Sequence, residues 1–443
     1  MLRSFTVSNW KSYYEPAEFS MVATRERRHG ERLTRVRRSR ILPVSAIYGA
    51  NAAGKSTLIE ALVALRTLII DARRVGSLLP VMPHLPEGKH EPSKFYVEFL
   101  TELEGDGLST KEAILTYELA ADRRRIYYEA LLIRRGDRED FLFEREGSNV
   151  QLDEPLLGDK RTELHSELIS DNETLLGALG PDPEVANPHV KAAYNWFARQ
   201  LNVIYPDSRA IYLPAQFATD DLFADAVNTG LTRADTGISG LQLQDMRVES
   251  LPLEPDEIDF LLNELSSRGG IFVIGGGVGD YALLDLHKEE LRARRLVATH
   301  STVAGPGEVS EEFLLPLREE SEGTQRFMNL LPALFQLRKA DSRAVFLIDE
   351  LEHSMHPKLT EEFIRTFLDD LDGSNRRQLI FTTHEIQLMR SDLLRRDEIW
   401  LVDKVDGQSE LTRVSDFSDI GVRKDADLMS FYMSGRLGGV PRI

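Results

Sequence analysis

Ile41-Leu-Pro-Val-Ser-Ala-Ile-Tyr48 runs directly into Gly49-Ala-Asn-Ala-Ala-Gly54-Lys55-Ser56-Thr57. The apolar first half reads as a buried strand, and the apolar-periodic stretch from Lys55 to about Val75 reads as a helix. Between them lies the pattern G-x-x-x-x-G-K-[ST] in full, in the strand–loop–helix setting its chemistry requires. Glycines let backbone N–H groups curl round an anion, and the helix N-terminus adds the positive end of its dipole. On this reading Gly49, Asn51, Ala52, Ala53, Gly54 and Thr57 cradle a polyphosphate. Lys55 reaches its β- and γ-phosphates, and Ser56 holds Mg²⁺.

A phosphate loop does not by itself name a class of nucleotide enzyme. The second half of the chain narrows the choice. Val345-Phe-Leu-Ile-Asp349-Glu350 is an apolar strand ending in two carboxylates. Such a strand would deliver Asp349 to the magnesium and leave Glu350 to orient or deprotonate a water. The strand Leu379-Ile-Phe-Thr-Thr383 then delivers His384, placed to sense a γ-phosphate. Ahead of both, Ser321-Glu-Gly323-Thr-Gln-Arg326 opens a helix, and a serine and glycine there make a further anion site.

These four elements, in this order, resemble the ABC-type ATPases, and the SMC/RecF branch rather than the transporters. Asn9-Trp-Lys11-Ser-Tyr13 is similar to the N-F-K/R-S-Y opening of SMC and RecF heads, which adds Lys11 as a nucleotide contact. The signature Glu320-Ser-Glu-Gly-Thr324, the mid-chain Asp235-Thr-Gly237 and the ending Gly435-Arg436-Leu-Gly438-Gly439-Val-Pro441 resemble the ATPase subunits of prokaryotic abortive-infection systems of the AbiL, RloA and PARIS type. The chain departs from transporters at the D-loop, where His353-Ser-Met-His356-Pro357 replaces S-x-L-D.

The resemblance implies an α/β head assembled from N- and C-terminal halves, hydrolysing ATP with Mg²⁺. It also implies a homodimer or higher homo-oligomer, in which Ser321 and Gly323 of one subunit close over the nucleotide held by the other. Lys55, Ser56, Asp349, Glu350 and His384 would act in cis. The role implied is an anti-phage switch governing a separate effector, often a TOPRIM-type nuclease. The alternative is a RecF-like repair ATPase that clamps DNA.

Composition bounds these readings. The 443 residues are 42% hydrophobic and 28% charged, the balance of a globular protein, with a net charge of −18. The absence of cysteine excludes disulfide scaffolds, thiolate zinc sites and cysteine nucleophiles. The start of the chain lacks the apolar core of a signal peptide, and the apolar stretch from Leu58 to Ile70 is too short to span a bilayer, so a cytoplasmic protein without a membrane partner is expected. An overall electrostatic grip on nucleic acid is not. From Arg25 to Arg40, however, eight arginines stand against two glutamates; the segment reads as a solvated loop between two early strands, with contact to a phosphate backbone or an acidic partner as the alternative.

Along the chain, strands and helices divide it into a first lobe (1–150), with the phosphate loop and an antiparallel meander, and a mostly helical insertion (151–299). A second lobe (300–443) carries the signature, the carboxylate strand and His384. Asp235-Thr-Gly237 lacks the partner aspartate and apolar flanks of an aspartic protease. Gly275-Gly-Gly-Val-Gly279 lacks full dinucleotide spacing. His353 and His356 read as interface loop residues rather than metal ligands, and Asp370-Leu-Asp372 as a solvated helix end. The 59 residues after His384 are fewer than an appended nuclease domain needs.

Overall fold

Six strands build the sheet that carries the phosphate loop. They are β1 (Val44–Gly49), β2 (Leu201–Ile204), β3 (Val345–Ile348), β4 (Gln378–Thr382), β5 (Ile399–Val405) and β6 (Gln408–Arg413), in the spatial order β2-β3-β4-β1-β5-β6. The first five are parallel and β6 returns antiparallel. Every residue of β1, β3 and β4 is buried, as expected of parallel strands covered on both faces. Helix α1 (Lys55–Ile70) leaves the end of β1, so residues some 300 positions apart meet along one sheet edge. The Gln378 amide helps to join the two ends of the chain, donating to the carbonyls of Leu2 (2.9 Å) and Leu42 (3.0 Å).

The computed structural model describes residues 1–72, 74–103, 111–136, 138–154, 156–234, 236–275, 281–288, 290–302, 311–420 and 428–435. Asp235, the glycine run after Gly275 and the ending from Arg436 lie outside the described residues. Two units emerge, one of residues 1–205, 340–351 and 370–443 and one of 206–339 with 352–369.

The first unit adds a seven-stranded antiparallel sheet to the parallel one. The expected meander forms its body, Ser93–Leu103, Lys111–Ala121, Ile126–Arg135 and Arg138–Glu146, with Leu2–Ser8 and Ala17–Ser20 at one edge and Asn149–Leu152 at the other. Residues 153–205, expected to begin a separate insertion, belong to this unit. The cause is apolar: Leu175, Leu176, Leu179, Trp196 and Phe197 are buried in its core. Trp196 stacks on Phe99 at 4.4 Å and Phe197 meets it edge-on at 5.6 Å. Such ring pairs each contribute about 0.5–1.5 kcal/mol beyond burial.

The second unit contains, besides its helices, a five-stranded antiparallel sheet. Ile238–Met246, Glu290–Ser301, Tyr281–His287 and Phe272–Gly275 follow in order, and Glu312–Pro316 also pairs with Glu290–Ser301. Ile238–Met246 and Tyr281–His287 escaped the sequence reading because polar and charged residues interrupt their alternation. Helices α2 (Asp221–Arg233), α3 (Glu322–Arg338) and α4 (Pro357–Leu368) belong here. The expected lobe of residues 300–443 is therefore shared between units: its signature helix lies in the second and its carboxylate strand in the first. No helix among the described residues is long and apolar enough to cross a membrane.

Candidate functional site

The phosphate loop closes on itself through its lysine. Lys55 opens α1 but its side chain turns back, and Nζ donates to the carbonyls of Gly49 (2.9 Å) and Ala50 (3.2 Å). It also lies 3.0 Å from Nε2 of His384. An ammonium has only protons to give, so in this contact Lys55 is the donor and Nε2 the acceptor. Lys55 is only 6% exposed. Asn51 and Ala52 face outward at the loop's crest, while Ala53 and Gly54 are buried beneath it. Gly54 has φ +120°, and a Cβ there would collide with the Ser409 hydroxyl, so this position needs glycine. Ala52 holds φ 59° without being glycine.

The carboxylate strand meets the loop from the other side. The Ser56 hydroxyl donates to Asp349 Oδ1 at 3.0 Å, and the Thr382 hydroxyl donates to the same oxygen at 2.6 Å. Thr382 also accepts the backbone N–H of Glu350 at 2.8 Å, and its carbonyl accepts that of Leu351 at 3.1 Å. This single threonine ties together the turn that carries both carboxylates. Glu350 sits in that turn at φ 47°, a conformation costly for a non-glycine residue and typical of functional turns. Thr382 was not singled out in sequence, though its place two residues before His384 at a strand end was the available signal.

The segment around Lys11 braces the loop from outside. Tyr13 Oη donates to the Gly54 carbonyl (3.0 Å) and Trp10 Nε1 to that of Thr57 (3.1 Å). Burial pushes the Tyr13 phenol up, so it remains a donor. Lys11 itself has φ 46°, and its ammonium pairs with Glu60 of α1 at 2.7 Å.

Magnesium suits the donor set here. It prefers oxygen ligands and is usually held by one carboxylate or two together with substrate phosphates. Asp349 Oδ1 and Ser56 Oγ, 3.0 Å apart, supply such a pair. Among the described residues no cluster of three or more His, Cys, Asp or Glu could hold a metal alone. Asp372 accepts from the Ser374 hydroxyl (2.6 Å) and N–H (2.8 Å), which hold its carboxyl below the usual range; it closes a turn.

In the second unit Ser321 is the N-cap of α3, its hydroxyl accepting from Thr324 N–H at 3.1 Å. A Cβ on Gly323 would lie 2.5 Å from the Ser354 carbonyl, so close approach of the D-loop segment requires glycine. Ser321, Gly323 and Thr324 line a cleft of about 810 Å³, together with His356 and Lys358. His356 caps α4, accepting from Lys358 N–H at 3.2 Å.

Comparison with known proteins gives a family and a set of structural likenesses. The family described as "AAA domain, putative AbiEii toxin, Type IV TA system" matches residues 44–390. Among solved structures, an SMC head bound to the C-winged helix domain of ScpA shares 12% identity over 93% of this chain and 96% of that one, with a TM-score of 0.41. The SMC head domain from Thermotoga maritima shares 12% over 93% and 98%, with a TM-score of 0.36. No curated protein matches the chain.

Proposed function

The chain belongs to this family of AbiEii-type AAA domains, and on that premise we propose that it is an ATP-hydrolysing switch that dimerises through its nucleotides. The observation that carries the reading is the convergence of Ser56, Asp349 and Thr382 on one oxygen, with Lys55 and His384 in contact beside them. Lys55 and the loop amides hold the phosphates of ATP. Ser56 and Asp349 hold Mg²⁺, which neutralises charge developing on the γ-phosphate. Glu350 takes the proton of the attacking water, and His384 senses the phosphate it attacks.

Ser321 and Gly323 act in trans, closing the helix N-terminus of α3 over the nucleotide of a second copy. ATP then holds the closed dimer and hydrolysis opens it, a two-state element that a partner can read. The role proposed is prokaryotic anti-phage defence, in which the switch governs a separate effector such as a TOPRIM-type nuclease. The family's description as a toxin of toxin–antitoxin systems supports that setting.

Complementation between subunits tests the proposal. Ser321→Arg places a cation where the partner's γ-phosphate docks, and Lys55→Ala removes the cis cation. Each variant alone should be inactive. Their mixture restores one intact composite site per heterodimer and should recover part of the turnover. No recovery, with heterodimers shown to form, would place the whole site within one subunit.

A further inference from the structure

Residues 34–41 form a two-stranded hairpin, Thr34–Val36 against Ser39–Ile41, with Arg37 and Arg38 as its turn. Its inward side chains are Thr34, Val36 and Ile41, all buried. Its outward side is arginine. Arg35 and Arg40 are direct cross-strand partners and both are exposed, as are Arg37 and Arg38. Like charges directly opposite one another destabilise a strand pair. Arg37 also takes a left-handed φ of 52°, where a tight hairpin favours Gly, Asn or Asp. Two local preferences are thus broken at once, both in favour of guanidinium groups. Departures of this kind are expected at functional positions.

The hairpin stands on a fixed base. The Thr34 hydroxyl donates to the Asn375 carbonyl at 2.7 Å, and Asn375 lies in the same unit. Just upstream, Thr24 donates through its N–H (2.7 Å) and hydroxyl (2.9 Å) to Asp397. Asp397 pairs with the fully buried Arg395 at 2.8 Å, and Arg395 in turn donates to the carbonyls of Glu26 and Arg28. His29 and Arg32 contact the carbonyls of Ser391 and Leu393. The arginine-rich segment is therefore seated on the stretch that follows His384, and its charges project from an ordered platform.

We propose that the exposed face formed by Arg35, Arg37, Arg38 and Arg40 binds the sugar–phosphate backbone of nucleic acid. This does not depend on the ATPase reading. The chemistry separates nucleic acid from an acidic protein. Arginine is a common hot spot of protein interfaces, but it acts there inside a well-packed, desolvated patch built with exposed aromatic or other apolar contacts. This segment exposes none: its outward residues are Arg25, Arg27, Glu31, Arg35, Arg37, Arg38 and Arg40, while Leu33 and Val36 are buried. A phosphate backbone needs only positioned cations, and the planar fork of arginine matches phosphate oxygens. Arg25, Arg35 and Arg38 have no ion-pair partner among the described residues. Because the chain carries −18 overall, contact is confined to this patch.

The test is fluorescence anisotropy of a labelled duplex and a matching single strand with the full chain. Wild type is compared with R35Q/R37Q/R38Q/R40Q and with the set of lysine substitutions at the same positions. Four phosphate contacts predict that wild-type affinity falls on the order of 10²-fold between ~50 and ~200 mM salt. The glutamine set should lose binding while its melting temperature holds or rises, and the lysine set should keep most of the affinity. Undiminished binding by the glutamine set overturns the proposal. So does an absence of wild-type binding to either strand form at low salt, or a preference for polyglutamate over both.

Discussion

Ser56 and Asp349 are 293 residues apart in sequence, yet the serine hydroxyl donates to the carboxylate at 3.0 Å. That contact joins the phosphate loop to the end of β3 and marks the proposed magnesium site. Ser56→Ala and Asp349→Asn should each weaken Mg²⁺-dependent ATP turnover strongly. Nucleotide binding without metal should change far less, because the loop amides and Lys55 remain. Titrating Mg²⁺ against turnover distinguishes the two effects; an unchanged magnesium requirement in both variants would exclude the pair as the metal site.

Thr382 is a positioning residue. Thr382→Val removes a donor to Asp349 and leaves the half-buried Glu350 N–H without its acceptor, at a cost of about 1 kcal/mol in stability. Loss of such support typically lowers activity roughly 10–100-fold. Thr382→Ser keeps the hydroxyl and should recover most of both. If valine and serine variants turned ATP over equally well, the hydroxyl would have no part in holding the carboxylates.

Gly323 faces a carbonyl that leaves no room for a side chain. Gly323→Ala should displace the first turn of α3 from Ser354, reducing turnover while leaving ATP binding by the phosphate loop intact. Wild-type turnover in this variant would remove the helix start from the mechanism.

Stability should depend on pH through Glu398. Burial pushes its carboxyl up to about 8, with the neighbouring Asp397 acting in the same direction and Arg395 against it. The folded chain therefore keeps a proton that the unfolded chain releases near pH 4.5. This contribution to stability is complete below that value and is lost as pH rises through about 8. Glu398→Gln should flatten the fall in melting temperature across that window. Burial raises Glu129 as well, so part of the slope should persist in the variant. An identical slope in both proteins would show that Glu398 titrates normally.

Much of the candidate site was legible because the pattern that marks it is local. Gly49 to Thr57 must be contiguous to wrap a phosphate, and Asp349 and Glu350 must end one strand. Their strands read as unbroken apolar runs because both faces are covered. The bracing was less visible. Thr382, and Ser409 beneath Gly54, act through contacts made only when distant strands pair, and neither belongs to a contiguous motif. The division of the chain was hidden for a related reason. Trp196 and Phe197 follow polar helical sequence, and their packing on Phe99, with the burial of Leu175, Leu176 and Leu179, ties residues 153–205 to the first unit. The arginine segment was visible as composition, but the opposition of Arg35 and Arg40 required the hairpin register.

The most direct test of the switch is the molecular mass of Glu350→Gln in solution, with and without ATP and Mg²⁺, measured beside its rate of hydrolysis. Loss of the base should slow turnover by roughly 10²–10⁴-fold and so preserve the ATP state. The account predicts a stable doubling of mass on adding ATP, abolished by adding Ser321→Arg to the same chain. Wild-type turnover in Glu350→Gln, or a mass that does not respond to ATP, would contradict it.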